Sequence, residues 1–174
     1  MSIWRWCGNM GTNKRNKVLA KLCSCLEGML LSVSMLMAND DWERIYVHIE
    51  QDVEKYRDRL QEIPYTLIVA LVVAEDRRFF HHRGVDFKAL IRACLRNIQA
   101  LGFVEGASTI EQQLARTYTQ KKEKTISRKW KDILLSVRMA TEMDKDTIAK
   151  LYIFQAYYGW RANGIEQVCF RMGV

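Results

Sequence analysis

The chain has 174 residues, 49% hydrophobic and 27% charged, enough to bury one substantial core and too few for a multidomain assembly. Nine glycines and a single proline supply little turn material for a many-stranded sheet, so an all-α chain is expected. A net charge of +7 favours an anionic partner, and five cysteines without a Cys-x-x-Cys pair argue against a zinc module or a disulfide scaffold.

The charge is distributed in blocks. Residues 1–38 carry five basic residues and one acidic, residues 39–63 four and eight, and residues 64–174 eighteen and eleven. In the first block Arg5, Lys14, Arg15, Lys17 and Lys21 precede the apolar run Leu22–Ala38, the order of a membrane anchor with a cytoplasmic N-terminus. The run is shorter than the ~20 apolar residues a span usually needs, and Glu27 interrupts it. The organisation is therefore a basic leader and candidate membrane helix over 1–38, then one domain over 39–174.

Within the domain, Trp42, Ile45, Ile49, Val53, Tyr56 and Leu60 recur at three- and four-residue spacing, one face of an amphipathic helix. Pro64 suits the first turn of a second helix, whose run Leu67–Ala74 is apolar enough to be buried on several sides. Asp86 can cap a helix whose face carries Leu90, Ile91, Cys94, Leu95 and Ile98. Gly102 and Gly106 bracket a loop, and Ser108 with Glu111 reads as a capping box. Trp130, Leu134, Leu135 and Val137 form a further helical face. Asp144 or Asp146 starts a helix running to Tyr158, and Ala162–Asn163–Gly164 is a turn.

Two stretches concentrate the chemistry: AEDRRFFHHRGVD at Ala74–Asp86 and EGASTIEQQLART at Glu105–Thr117. Glu75 ends an apolar run, where partial burial would tune it as a general base. Paired with Arg77 or Arg78 on a solvated surface, the same glutamate would do nothing. Ser108 and Thr109 open a helix whose N-terminal N–H groups favour an anion, although a well-capped helix needs no ligand. From Arg116 to Lys131 seven basic residues face one acid, Glu123. Such a run also fits nucleic acid, but no recognition helix or base-stacking pattern accompanies it, which argues against that partner. No second ligand stands at helical spacing from His82, so His82 reads as scaffold rather than metal ligand.

The two stretches resemble the first two signature motifs of the family 51 glycosyltransferases, the peptidoglycan glycan-chain polymerases of bifunctional penicillin-binding proteins and monofunctional transglycosylases. Glu75, Asp76, Phe79, His82 and Gly84 match the first motif; Gly106, Ser108, Thr109, Gln112 and Gln113 match the second. Arg116 and Thr117 replace a lysine and an asparagine. Arg128-Lys129-Trp130-Lys131-Asp132 is similar to the third motif, Arg-Lys-x-Lys-Glu. The fourth reads Tyr152-Ile153-Phe154 against Tyr-Leu-Asn, with Gly159 and Gly164 kept.

The resemblance implies a lysozyme-like helical transglycosylase domain, here C-terminally short. It implies an enzyme at the cytoplasmic membrane, facing the periplasm or cell exterior, that polymerises lipid-linked disaccharide in cell-wall synthesis. Glu75 would be the catalytic base. Asp76, Phe79, His82 and the second-motif residues would line the substrate site, with Arg116, Arg128 and Lys131 on the donor's pyrophosphate. Its partners would be the lipid-linked precursor, the growing glycan chain, membrane lipids and other cell-wall enzymes. No cofactor is required, a divalent cation such as magnesium being the alternative. The resemblance also implies a second glutamate, associated with leaving-group departure, twelve positions after Arg128, where Ala140 stands. A relative that binds precursor without turnover is the competing expectation.

Overall fold

A computed structural model describes residues 14–120, 125–156, 158 and 164–173. The expectations for Lys121, Lys122, Glu123 and Lys124, for Gly159 and for the first two residues of the 162–164 turn lie outside them. Among the described residues the chain is helical and contains no strand. The helices are α1 (Lys14–Met37), α2 (Asn39–Lys55), α3 (Arg57–Glu62), α4 (Tyr65–Glu75), α5 (Phe87–Gln99), α6 (Ile110–Thr119), α7 (Ile126–Glu142), α8 (Lys145–Gln155) and α9 (Gly164–Met172).

The core is built on α6, α7 and α8. Ile110 and Leu114 of α6, Leu134, Leu135 and Met139 of α7, and Ile148, Leu151 and Ile153 of α8 are essentially solvent-free. Each such side chain contributes about 1.5–3 kcal/mol of burial. Helix α2 lays Trp42, Ile45 and Ile49 on this core, and Tyr56 and Leu60 continue the stripe past a break at Tyr56. Asp40 and Asp41 in its first turn and Lys55 in its last complement the helix dipole.

Helix α1 packs along α7, with Leu30 and Ser34 buried. Its segment Ala20–Met37 is long and apolar enough to cross a membrane, and only 11% of it is buried against the rest of the chain.

Three apolar faces lie differently from their sequence reading. Along α4 only Ile68 and Val72 are buried, whereas Val69 and Val73 are exposed. Asp86 caps α5 as expected, accepting from the Lys88 and Ala89 N–H groups. The predicted stripe Leu90, Ile91, Cys94, Leu95 and Ile98 nevertheless points outward, and Ala93 alone in α5 is buried. Leu101, Phe103 and Val104 extend this exposed apolar surface beyond the helix. Trp130, placed in the α7 stripe, is also largely exposed. Periodicity finds an apolar face but is silent on what covers it.

The capping box shifts by one residue. Thr109 is the N-cap of α6 and accepts from the Gln112 N–H, while Glu111 turns inward. Helix α8 begins at the Asp144 cap and stops at Gln155, short of Tyr158.

Candidate active site

Glu75 is the last residue of α4. It stands at the lip of a cleft of about 720 Å³, lined also by Arg77, Arg78, Arg92, Arg96 and the loop Glu105–Thr109. The expected partial burial of Glu75 is not observed; the residue is exposed. It is held instead by Gln113 on α6, whose side-chain amide donates to Glu75 Oε2 at 2.9 Å. Gln113 Oε1 in turn accepts from the Tyr152 hydroxyl at 2.9 Å. The solvated Glu75–Arg77 pair is not formed: Arg77 bonds the Val73 carbonyl and Arg78 pairs with Asp86.

Behind Glu75, Phe79 and His82 are buried and hold the first motif together, as the scaffold reading of His82 expects, whereas Asp76 also lines the cleft. Phe79 is fully buried. Asp76, also buried, takes the Arg78 N–H, lies 2.9 Å from His82 Nε2, and receives the Ile110 N–H at 3.4 Å. It thereby ties the first motif to the start of α6. Gly84 completes the joint with φ +86°, and a Cβ there would lie 2.4 Å from the Ser136 carbonyl oxygen. Its own carbonyl accepts from the Thr109 hydroxyl at 2.7 Å and the Ser136 hydroxyl at 3.1 Å. Thr109 and Gln112 are buried too; Thr109 still lines the cleft, while Gln112 supports it from beneath. At Gly106, by contrast, a Cβ would make only an ordinary contact with Phe103.

The cations gather one turn along α6. Arg116 Nε donates to Asp132 Oδ2 at 3.3 Å, and Arg128 Nε lies 3.9 Å from the same oxygen, buried and without a hydrogen-bond acceptor. Lys129, a third-motif match to which the sequence reading assigns no role of its own, donates to Ser108 Oγ at 2.9 Å and Gln112 Oε1 at 2.6 Å. Because Ser108 also lines the cleft, Lys129 joins the basic cluster to it. Burial, followed by the repulsion of Arg116, holds the Lys129 pKa below the ordinary lysine value. Lys131 does not join this group. Two residues on from Lys129, about 200° around the helix, it pairs with Asp41 on α2. Of the two third-motif lysines, Lys129 is thus the one turned toward the cleft and Lys131 the one turned toward α2, a difference only helix orientation makes.

Asp132, which ends the third-motif match, is the second residue to which the sequence reading assigns no role. Burial pushes its pKa up, against the opposing pull of Arg116 and Arg128. The carboxylate set among the site's cations is thus Asp132, whereas position 140 is about 12 Å further along α7 at 1.5 Å per residue. Glu142 faces away, accepting from Trp42 Nε1 and pairing with Arg138.

One group of side chains has metal-ligand character. Donor atoms of Asp76, His82 and Glu111 lie within 4.8 Å of one another. Both His82 Nδ1 and Glu111 Oε2 are buried without a hydrogen-bond partner. Spacing along a single helix could not reveal this set, since its members come from both motifs. The Lys145 ammonium, however, pairs with Glu111 and sits 4.3 Å from the Phe79 ring centroid, so the chain supplies its own cation. A histidine-bearing set is also unlike the all-oxygen shell of magnesium, and Ala140 offers no donor. The Asp76, His82 and Glu111 group therefore does not fit a magnesium ion.

A family model described as Transglycosylase matches residues 43–171, from within α2 to within α9. The chain belongs to the transglycosylase family. It is 42% identical over 107 residues to penicillin-binding protein 1A of Aquifex aeolicus, covering 62% of this chain and 15% of that relative. It is 40% identical over 124 residues to penicillin-binding protein 1A of Neisseria cinerea (71% and 15%). Against penicillin-binding protein 1F of Bacillus subtilis the identity is 38% over 107 residues (62% and 15%). The matched region thus spans about 15% of the length of these relatives.

Proposed function

We propose that this family member polymerises a lipid-linked disaccharide precursor into peptidoglycan glycan chains. The observation that carries the reading is the arrangement on α6. Gln113 fixes a carboxylate at the cleft, and three residues on, about one turn away, Arg116 begins a cationic cluster with Arg128 and Lys129.

In this reading Glu75 takes the proton from the acceptor sugar's hydroxyl as its oxygen attacks the anomeric carbon of the donor. The bond from that carbon to the diphosphate breaks, and the lipid diphosphate leaves with the electron pair. Arg116, Arg128 and Lys129 stabilise the departing charge, Arg128 Nε being buried beside Asp132 without a hydrogen-bond acceptor. Asp132 holds the two guanidinium groups in place.

Membrane lipids are the natural surroundings of such a precursor. Support comes from the span Ala20–Met37 and from the outward apolar surface of α5 and Leu101–Val104. A periplasmic or outward-facing domain and contacts with other cell-wall enzymes belong to the same proposal.

The test is the purified full chain incubated with radiolabelled lipid-linked disaccharide in lipid vesicles. Glycan chains that lengthen with time are expected. Precursor retained on the protein without any polymer would favour the binding-only reading that Ala140 suggests, and neither binding nor polymer would overturn both.

A further inference from the structure

Glu75 is exposed, on the last residue of a helix, and burial does not orient its carboxylate. What orients it is a chain of two hydrogen bonds running across three helices. Tyr152 of α8 donates its hydroxyl to Gln113 Oε1 on α6, and Gln113 Nε2 donates to Glu75 Oε2 on α4, both at 2.9 Å. We propose that Tyr152 is a positioning residue for the base: it locks the Gln113 amide in the one orientation that presents N–H, rather than carbonyl oxygen, to Glu75. The inference rests on the reading of Glu75 as the base.

The physical case has three parts. A primary amide has a donor end and an acceptor end of nearly the same shape, so packing alone does not choose between its two rotamers. Glu75 can only accept and so takes the N–H end; the Tyr152 hydroxyl is left to donate to Oε1 and fix the amide there, provided it keeps its proton. Tyr152 keeps it: the side chain is 8% exposed, and burial, then the nearby Glu75 charge, pushes its pKa well above the ordinary tyrosine value. The donor also sits on a rigid element, α8, whose neighbours Leu151 and Ile153 are fully buried. Flipped, Gln113 would aim its carbonyl oxygen at a carboxylate and repel it. Burial, then the nearby Glu75 charge, raises the Tyr158 pKa to about 12, but its hydroxyl is committed to the Ile153 carbonyl at 3.1 Å. It is not a second member of the relay.

The experiment combines kinetics with a reading that needs no turnover. In the vesicle polymerisation assay Tyr152→Phe, which removes only the hydroxyl, is expected to lower kcat by roughly 10–100-fold with KM for the lipid-linked precursor little changed. Gln113→Ala is expected to cost at least as much, and adding Tyr152→Phe to it nothing further. A Tyr152→Phe defect that persists undiminished in the Gln113→Ala background overturns the relay, because the hydroxyl would then act elsewhere. So does a Tyr152→Phe enzyme with wild-type kcat.

Alongside, the Gln113 side-chain amide is followed by ¹⁵N NMR in the full chain in detergent micelles. Its two amide protons should shift and lose protection from exchange in both Tyr152→Phe and Glu75→Gln. Coincident Gln113 signals in wild type and Tyr152→Phe would refute the positioning role even if the chain made no polymer. Absence of polymer from wild type with the NMR response intact would instead count against the glycosyltransferase reading alone.

Discussion

Removing the Lys145 ammonium should destabilise the domain more than any surface substitution. Glu111 is fully buried, its Oε1 is paired with Lys145, and its Oε2 has no hydrogen-bond partner. Lys145→Met therefore leaves a carboxylate in the core with no counter-charge, which typically costs about 3–5 kcal/mol. At about 2–4 °C per kcal/mol for a chain of this size, the midpoint of thermal unfolding should fall by about 6–20 °C. Circular dichroism in detergent follows the transition. Combining Lys145→Met with Glu111→Leu removes both charges and should restore most of the loss, because replacing a buried pair with apolar groups is often nearly neutral. A Lys145→Met midpoint within 2 °C of wild type (about 1 kcal/mol) would refute the reasoning. It would mean that Glu111 is hydrated or takes up a proton without cost.

Other predictions separate site from scaffold. Lys129→Met should reduce polymerisation by about 100-fold, the loss expected for one donor to a developing anion, whereas Lys131→Met, breaking only its pair with Asp41, should stay within about threefold. Equal effects in the same assay would contradict the assignment. Gly84→Ala should destabilise by at least ~2 kcal/mol in urea unfolding, since φ is +86° and the new Cβ meets the Ser136 carbonyl. The pH dependence follows from Lys129: its lowered pKa means that rising pH removes its charge before an ordinary lysine would lose its own. Precursor affinity should therefore weaken in that alkaline range, and Lys129→Arg should extend binding to higher pH. Identical profiles for the two proteins would count against a Lys129 contact with pyrophosphate.

The helices were legible because their causes are local. Asp86 and Asp144 announce the starts of α5 and α8, and the Trp42–Leu60 spacing marks the buried side of α2 and α3. What lay beyond the sequence was orientation between elements. The α5 stripe has the right period for a core helix yet faces outward, because the core of α6, α7 and α8 closes without it. Lys129 and Lys131 are equivalent in composition, and only the rotation of α7 sends one to Ser108 and the other to Asp41. The same holds for Asp132, which becomes distinctive when Arg116, sixteen positions earlier, folds back onto it. Motif matching identified the residues around Glu75, but it could not divide them into those facing the cleft and those, such as Phe79 and His82, that hold it from behind.

The central claim is that Glu75 takes the proton in glycan-chain growth, and Glu75→Gln tests it most directly. The substitution keeps the shape and removes the base. With lipid-linked disaccharide in vesicles, the variant should bind precursor as wild type does while chain growth falls by about 10²–10⁴-fold. Glycan chains produced by Glu75→Gln at the wild-type rate would contradict the account.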